Sequence, residues 1–453
     1  MQSRTTLTIL VSLIAVHIVL AAIFAYSTPF RTAGAVVSQG ARANDIGAPD
    51  ERQQVNYVLR LANGRGFPVF NPLSPNLYEE YESHQPPLFY VLDAVWGKVT
   101  GASLPAPPPT PAPEMSKVDG LRLRSLNFLI GGVTVAGVFY LALWGYRRPE
   151  VALTAAAFAA LLPMNAALSG AVSNDPLLVC LCTWALAFAV LGMRDGWTTK
   201  RALAVGVLAG LAILTKTTGV ALLPTLLIAA LWREVPRPTP RQWLAVLIPL
   251  VLIVLPWWIR NQSLYGDPMA LRAFNQAFTG SKQASEIIAR AGPFAYWVDG
   301  VALWTAQSFV GVFGYMDIWL TDTTTQLGND SIYKLAWLLM AVALVGWVLS
   351  LRNARAEKSA GVHWVDGVFF LVVLVLFIRF NAQYFQAQGR YLLPALGPIS
   401  VGIGLGLAQL AKDRWRLALS SVILVFGIAD TFAAAKLPAA FQTRVELGTG
   451  NTR

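Results

Sequence analysis

Apolar runs of about 20 residues recur along this chain, and that repetition constrains its fold more than any other feature. A helix rises ~1.5 Å per residue, so about 20 apolar residues match the ~30 Å hydrocarbon core of a bilayer. Lipid offers no water to backbone N–H and C=O groups, and a helix satisfies its own. The 453 residues are 55% hydrophobic and only 13% charged, against about 25% charged in a soluble domain. The fold class is therefore an all-α polytopic membrane protein. Candidate spans are roughly 6–26, 125–145, 151–171, 175–193, 201–215, 217–232, 243–259, 332–351, 365–380, 391–411 and 416–434. With borderline segments counted, the bundle holds about 11–13 transmembrane helices. No separate soluble domain is visible, so 1–453 reads as one integral membrane domain. The run from Leu7 to Tyr26 is too long for a signal-peptide core and reads as a retained first helix.

The net charge of +11 does not call for nucleic acid. Basic residues cluster between apolar runs, at Arg147-Arg148, Arg194 with Lys200-Arg201, Arg233 to Arg241, Arg352 to Lys358 and Lys412 to Arg416. The positive-inside rule places such clusters in the cytoplasm. The spans then alternate, with the N-terminus inside and the C-terminal tail outside. This alternation fails if 86–98 crosses alone, since Arg147-Arg148 and the next clusters would reverse. That segment is also short for a span. It reads as an interfacial or re-entrant helix, and 296–320 likewise. Two long extracytoplasmic loops follow, 27–124 and 260–331. The proline run Pro105 to Pro113 is an extended connector within the first. Cys180 and Cys182 are two apart on a helix and face different ways, so they form neither a disulfide nor a metal pair.

The unusual polar motifs all fall on the face opposite the basic clusters. Asp50-Glu51 precedes an amphipathic stretch; an Asp there can simply cap a helix, or a carboxylate near apolar walls can act as a general base. Asp45, beside Asn44, looks more like turn chemistry. His84-Gln85 precedes Pro86-Pro87, a turn before a helix that could also bind phosphate, sugar or metal; a divalent metal would need further ligands. Arg122 and Arg124 precede a span, as snorkelling residues or as phosphate ligands. Asp175 opens a predicted helix whose dipole favours its charge. Lys216 sits between two apolar runs, flanked by threonines, and a charge in such a place is by default a functional one. Arg260-Asn261 and Arg390-Tyr391 bring more cations to the same face, against the positive-inside trend. Carboxylates for proton chemistry and several cations for phosphate fit a phosphate-bearing lipid donor. No glycine-rich nucleotide loop is present, which disfavours ATP or sugar-nucleotide use.

These motifs, in order over about 6–411, resemble the GT-C glycosyltransferases that use polyprenyl-phosphate sugars, among them protein O-mannosyltransferases and lipid A aminoarabinose transferases. The carrying residues are Pro49-Asp50-Glu51 with Tyr57, His84-Gln85-Pro86-Pro87-Leu88-Phe89-Tyr90, Arg122 to Leu126, Ser173-Asn174-Asp175-Pro176, Leu214-Thr215-Lys216, Pro256 to Asn261 with Tyr265 to Pro268, and Gly389 to Pro394. The resemblance implies an inverting transfer to an extracytoplasmic acceptor (protein, lipid or polysaccharide), in a multi-pass protein of the inner or plasma membrane. Asp50, with Glu51 beside it, would take the acceptor's proton. Lys216 and the arginines would hold the lipid phosphate, in reach of His84, Gln85, Asp175, Asn261 and Tyr391. Aminoarabinose transferases carry Glu-Lys where this chain has His84-Gln85, and mannosyltransferases have His directly before Pro-Pro, so the donor sugar is not implied. The alternative reading is a transporter or flippase of a polyprenyl-linked sugar or lipid.

Overall fold

A computed structural model of the protein describes residues 4–38, 41–106, 115–232, 237–278, 281–320, 331–352, 354 and 359–448. Among the described residues, eight helices are long and apolar enough to cross a membrane, or nine if one bent pair counts as a single span. They are α1 (Arg4–Ser27), α5 (Lys117–Tyr146), α8 (Asp175–Asp195), α11 (Pro240–Tyr265), α15 (Ser331–Ser350), α16 (Ala360–Gln383), the run Gly389–Ala411 that ends in α17 (Leu396–Ala411), and α18 (Trp415–Gly448). The bent pair is α6 (Pro149–Leu161) and α7 (Pro163–Ser169), which meet at 61°. Pro163 lacks the N–H that would continue the ladder, which accounts for the break. His17 bridges it, with Nδ1 against the Ala160 carbonyl and Nε2 against the Ser169 hydroxyl.

Fewer helices pass as spans than the sequence predicts. The two stretches expected at 201–215 and 217–232 are helical but short: α9 (Thr199–Thr215) has 17 residues, and the second runs from Thr217 to Leu231, ending in α10 (Leu222–Leu231). Lys216 lies at the break with an extended backbone, φ −155° and ψ 139°. The stretch at 86–98 forms α4 (Leu88–Val99), whose 12 residues reach about 18 Å, too short to span. Two short helices, α12 (Leu271–Ala277) and α13 (Ala284–Ala291), precede the stretch at 296–320, which becomes a π-type turn and α14 (Leu303–Gly311), then a short hairpin of β3 (Val312–Phe313) and β4 (Ile318–Trp319). The final helix continues well beyond the predicted end at 434, and Arg444 near its end pairs with Asp317 of the β3–β4 turn. The connector at 105–113 lies largely outside the described residues.

The core lies among α5, α6, α8 and α17, whose alanines and glycines allow close approach. Where α15 crosses α17, a Cβ on Gly406 would lie 1.8 Å from the Ala343 carbonyl oxygen. The first long loop is structured. Strands β1 (Thr32–Ser38) and β2 (Ala41–Ile46) pair antiparallel, followed by α2 (Glu51–Ala62), α3 (Leu77–Glu80), a 3-10 turn over Tyr81–His84, and α4. Asp45 belongs to β2 rather than to a turn. Its carboxylate accepts from Arg52 Nε at 2.6 Å.

Candidate active site

Asp50 and Glu51 are neighbours with separate roles. Glu51 points inward, to Arg124. Nε of that arginine donates to Oε1 at 2.7 Å and Nη2 to Oε2 at 2.5 Å. The remaining donors of Arg124 reach the carbonyls of Ala25, Thr28 and Pro29. Glu51 Oε1 also accepts from the Val172 N–H, and Gln54 Oε1 from the Asn174 N–H. One face of α2 is thus bolted to the end of α1, to α5 and to the 172–174 turn.

This clamp turns Asp50 the other way. Its backbone is left-handed, φ 61° and ψ 0°, a region that costs most non-glycine residues roughly 1–2 kcal/mol but that Asp tolerates. The side chain makes no capping bond to α2. It accepts from Arg390 Nη2 at 2.7 Å instead and stays 31% exposed. The capping explanation is therefore set aside by the geometry. Arg390 comes from a 3-10 turn over Gly389–Ala395. Gly389 must lack a Cβ there, because one would lie 2.2 Å from the Phe309 nitrogen of α14. The Gly389 N–H also donates to Ser308 Oγ, which fixes the turn.

Asp50 and Arg390 open on a cavity of about 260 Å³, with Glu82, His84, Gln85, Asp175, Lys216 and Tyr391 in its walls. Lys216 Nζ donates to Asp175 Oδ1 at 2.5 Å across the gap between two helix ends. The other wall is apolar and aromatic: Phe274, Phe278, Val373, Leu376, Phe377 and Phe380. Two fully buried side-chain atoms of the lining residues have no protein partner, Arg390 Nε and Gln85 Oε1. These residues therefore keep a spare guanidinium donor and a spare amide acceptor.

Glu82 is buried, and burial pushes its carboxyl up to about 8; Asp50 adds to the shift, while Lys216 and Arg390 oppose it. Its Oε2 accepts from the Tyr90 hydroxyl at 3.3 Å. His84 Nδ1 lies 2.7 Å from the Tyr81 carbonyl, which can only accept, so that nitrogen carries the proton. Its Nε2 is left as acceptor for the Gln85 amide at 3.0 Å. Both ring nitrogens are thus occupied, and burial holds the imidazole down at about 4, in the neutral form. Among the described residues, no three His, Cys, Asp or Glu side chains stand close enough to hold a metal ion.

The structure thus gathers Asp50, His84, Gln85, Asp175, Lys216, Arg390 and Tyr391 at one cavity and leaves five other expected residues outside it. Glu51 and Arg124 form the clamp, with no group to spare for a substrate. Arg122 donates to Asp119 Oδ1 and to the Gly101 carbonyl on the loop surface. Arg260 stacks on Trp257 and donates to the Pro68 carbonyl, while Asn261 accepts from Arg260 and donates to the Pro268 carbonyl. These contacts tie α11 to the first loop. Glu82 joins Asp50, His84 and the others in the cavity wall; in sequence it stands with Glu79 and Glu80 just before His84. The aromatic wall of Phe274, Phe278 and Phe380 carried no signal distinct from ordinary membrane sequence.

Residues 79–265 match the family model of dolichyl-phosphate-mannose-protein mannosyltransferase. None of the curated protein sequences compared with the chain matches it. Among solved structures, the chain is similar to the Archaeoglobus fulgidus oligosaccharyltransferase tethered with an acceptor peptide, at TM-score 0.53 and 15% identity, over 96% of this chain and 55% of that one. It is similar to ArnT from Cupriavidus metallidurans bound to undecaprenyl phosphate, at TM-score 0.50 and 16% identity, over 95% and 69%. The archaeal oligosaccharyltransferase AglB in complex with an inhibitory peptide and a dolichol-phosphate gives TM-score 0.50 and 14% identity, over 96% and 56%. The chain spans about half the length of the Archaeoglobus proteins it matches. The helical architecture and these likenesses agree: the chain has the GT-C fold, with a protein-mannosyltransferase-like segment over residues 79–265.

Proposed function

We propose that this protein is a membrane glycosyltransferase that moves a sugar from a polyprenyl-phosphate carrier to an acceptor on the extracytoplasmic face, with inversion. One observation carries the reading: a part-exposed carboxylate, two cations and a spare guanidinium N–H converge on one cavity with an apolar far wall. Two of the similar structures hold a polyprenyl-type phosphate, undecaprenyl phosphate and dolichol-phosphate, which fits a donor of this class.

In this scheme Asp50 accepts the proton of the acceptor hydroxyl as its oxygen attacks the anomeric carbon. The bond from that carbon to the phosphate oxygen breaks, and the polyprenyl phosphate leaves with the electron pair. Arg390 links the two events, since Nη2 orients Asp50 while Nε is free for a phosphate oxygen. Lys216 supplies the second positive charge, and Asp175 holds its ammonium in place. Gln85 Oε1, which has no protein partner, would accept from a donor hydroxyl. The first isoprene units lie against Val373, Leu376, Phe377 and Phe380.

The test uses proteoliposomes of the full chain, a labelled polyprenyl-phosphate sugar and an envelope extract as acceptor. The wild type releases polyprenyl phosphate and labels the acceptor. Asp50→Asn slows release by about 10²–10⁴-fold, the usual worth of a general base, with donor binding retained. Undiminished turnover in that variant removes Asp50 as base. Movement of labelled lipid between leaflets with no product would replace the transferase reading by the transporter one.

A further inference from the structure

A second cavity, of about 780 Å³, lies between α14, α15, α16 and α17. It is far larger than the space around Asp50, and its wall is almost wholly apolar, with Trp337, Met340, Trp347 and Phe370 prominent. It meets the first cavity only at Phe377, which lines both. From Phe377 the groove follows α16 back toward that helix's N-terminal end, where Asp366 enters the wall; eleven residues of helix correspond to about 16 Å.

Asp366 is the feature that an apolar groove does not need. It is buried, and Oδ2 accepts from the Tyr146 hydroxyl at 3.1 Å. Oδ1 has no partner. His363, one turn earlier on α16, is also buried with Nδ1 unpartnered, its ring edge-on to Tyr146. A carboxyl group at membrane depth normally pairs or serves a ligand. The hydrocarbon tail of a polyprenyl phosphate has nothing to donate to it, so a donor lying here with its phosphate at Arg390 would leave Asp366 Oδ1 unsatisfied.

We propose that this groove binds a second amphiphile, a long-chain alcohol, with its hydroxyl on Asp366 Oδ1 and its chain along α16 toward Phe377. A hydroxyl brings one donor, which matches the single open carboxylate oxygen. An ammonium head brings three donors and finds no second anion among the groove-lining residues. The alcohol's head lies at the opposite end of α16 from the sugar-transfer cavity, so the site is separate from that chemistry.

The test is photolabelling of the full chain in lipid nanodiscs, with diazirine derivatives of farnesol and of hexadecanol and with the O-methyl ether of each. The wild type takes up the alcohols about tenfold better than the ethers, with label on groove peptides carrying Met340 or Phe370. Asp366→Leu brings alcohol labelling down to the ether level. Asp366→Asn, which keeps an acceptor, retains most of it and shows that the site still folds. Preference for the farnesol probe assigns the site to isoprenoid alcohols, and preference for the hexadecanol probe to acyl alcohols. Equal labelling by alcohol and ether in the wild type overturns the proposal. So does loss of labelling under saturating undecaprenyl phosphate, which would give the groove to the donor's tail. Because the readout is binding, failure here leaves the transfer reading standing.

Discussion

Glu51–Arg124 and Asp50–Arg390 are both carboxylate–guanidinium pairs, start one residue apart at the N-terminal end of α2, and are built to opposite specifications. In the first, Arg124 is fully buried and its donors reach one carboxylate and three carbonyls. In the second, Asp50 is nearly a third exposed and Arg390 keeps Nε unpartnered. A saturated pair holds backbone in place; a pair with an open donor and an open face can meet a substrate. The arginine and the carboxylate are the same chemical groups in both. What differs is how much of their hydrogen-bonding capacity the protein itself consumes.

The largest expected effect breaks that comparison at Asp50. The fall of about 10²–10⁴ in transfer for Asp50→Asn should come without loss of thermal stability, because the open pair carries little of the fold. Glu51→Gln should do the reverse and reduce the folded yield first. A stability loss in Asp50→Asn equal to that in Glu51→Gln would erase the distinction.

Glu82 comes next, because it joins the cavity by burial alone. Its carboxyl ordinarily titrates near 4.5 and is pushed up to about 8 in the folded chain. The folded state therefore holds its proton more tightly than the unfolded state. The stabilisation is full below about pH 4.5 and is lost as pH rises toward 8. At ~1.36 kcal/mol per unit the loss is bounded at about 5 kcal/mol, and any water that enters reduces it. Glu82→Gln should flatten the fall in melting temperature between pH 5 and 8. An unchanged slope in that variant would place the titrating group elsewhere, with buried Asp93 as the next candidate, since burial raises its carboxyl as well.

Arg124→Ala leaves Glu51 buried without its cation. Removing one partner of a buried pair costs about 3–5 kcal/mol, and here three carbonyls lose their donor too. The expected readout is a large drop in melting temperature in detergent, partly restored by Glu51→Leu in the same chain. Failure of the double variant to recover any stability would mean that the carbonyl contacts, and not the buried charge, dominate.

Much of the fold was legible because its cause is local. Length and apolarity mark the long spans, and the 12 residues of α4 are too few to cross. The break at Lys216 falls between the stretches 201–215 and 217–232, where the sequence puts it; what differs is length, since α9 and Thr217–Leu231 are shorter than the long spans. Asp50, Asp175, Lys216 and Arg390 could be picked out as charges out of place in membrane sequence. Their partners could not, because Asp50 meets Arg390 across 340 positions and Lys216 meets Asp175 across 41. The same limit grouped Arg124 and Arg260 with the phosphate ligands. A cation at a span end looks alike in sequence whether its donors are free or already held by carbonyls of a distant loop.

Lys216 and Arg260 turn that last point into the smallest and most selective test. Lys216 lines the cavity, and its Nζ has one strong partner, Asp175, while an ammonium carries three donors in all. A charged hydrogen bond to phosphate is worth about 1.5–3 kcal/mol. Lys216→Ala should therefore weaken binding of undecaprenyl phosphate by roughly 10–100-fold, since 1.4 kcal/mol is tenfold. Arg260 faces Trp257 and the Pro68 carbonyl, outside the cavity. Arg260→Ala should leave that affinity within about twofold and lower stability by about 1.5–3 kcal/mol, the worth of the charged hydrogen bond to Pro68. Equal loss of affinity in the two variants would return Arg260 to the phosphate site. Unchanged affinity in Lys216→Ala would leave Arg390 to hold the phosphate and reduce Lys216 to the partner that keeps Asp175 in place.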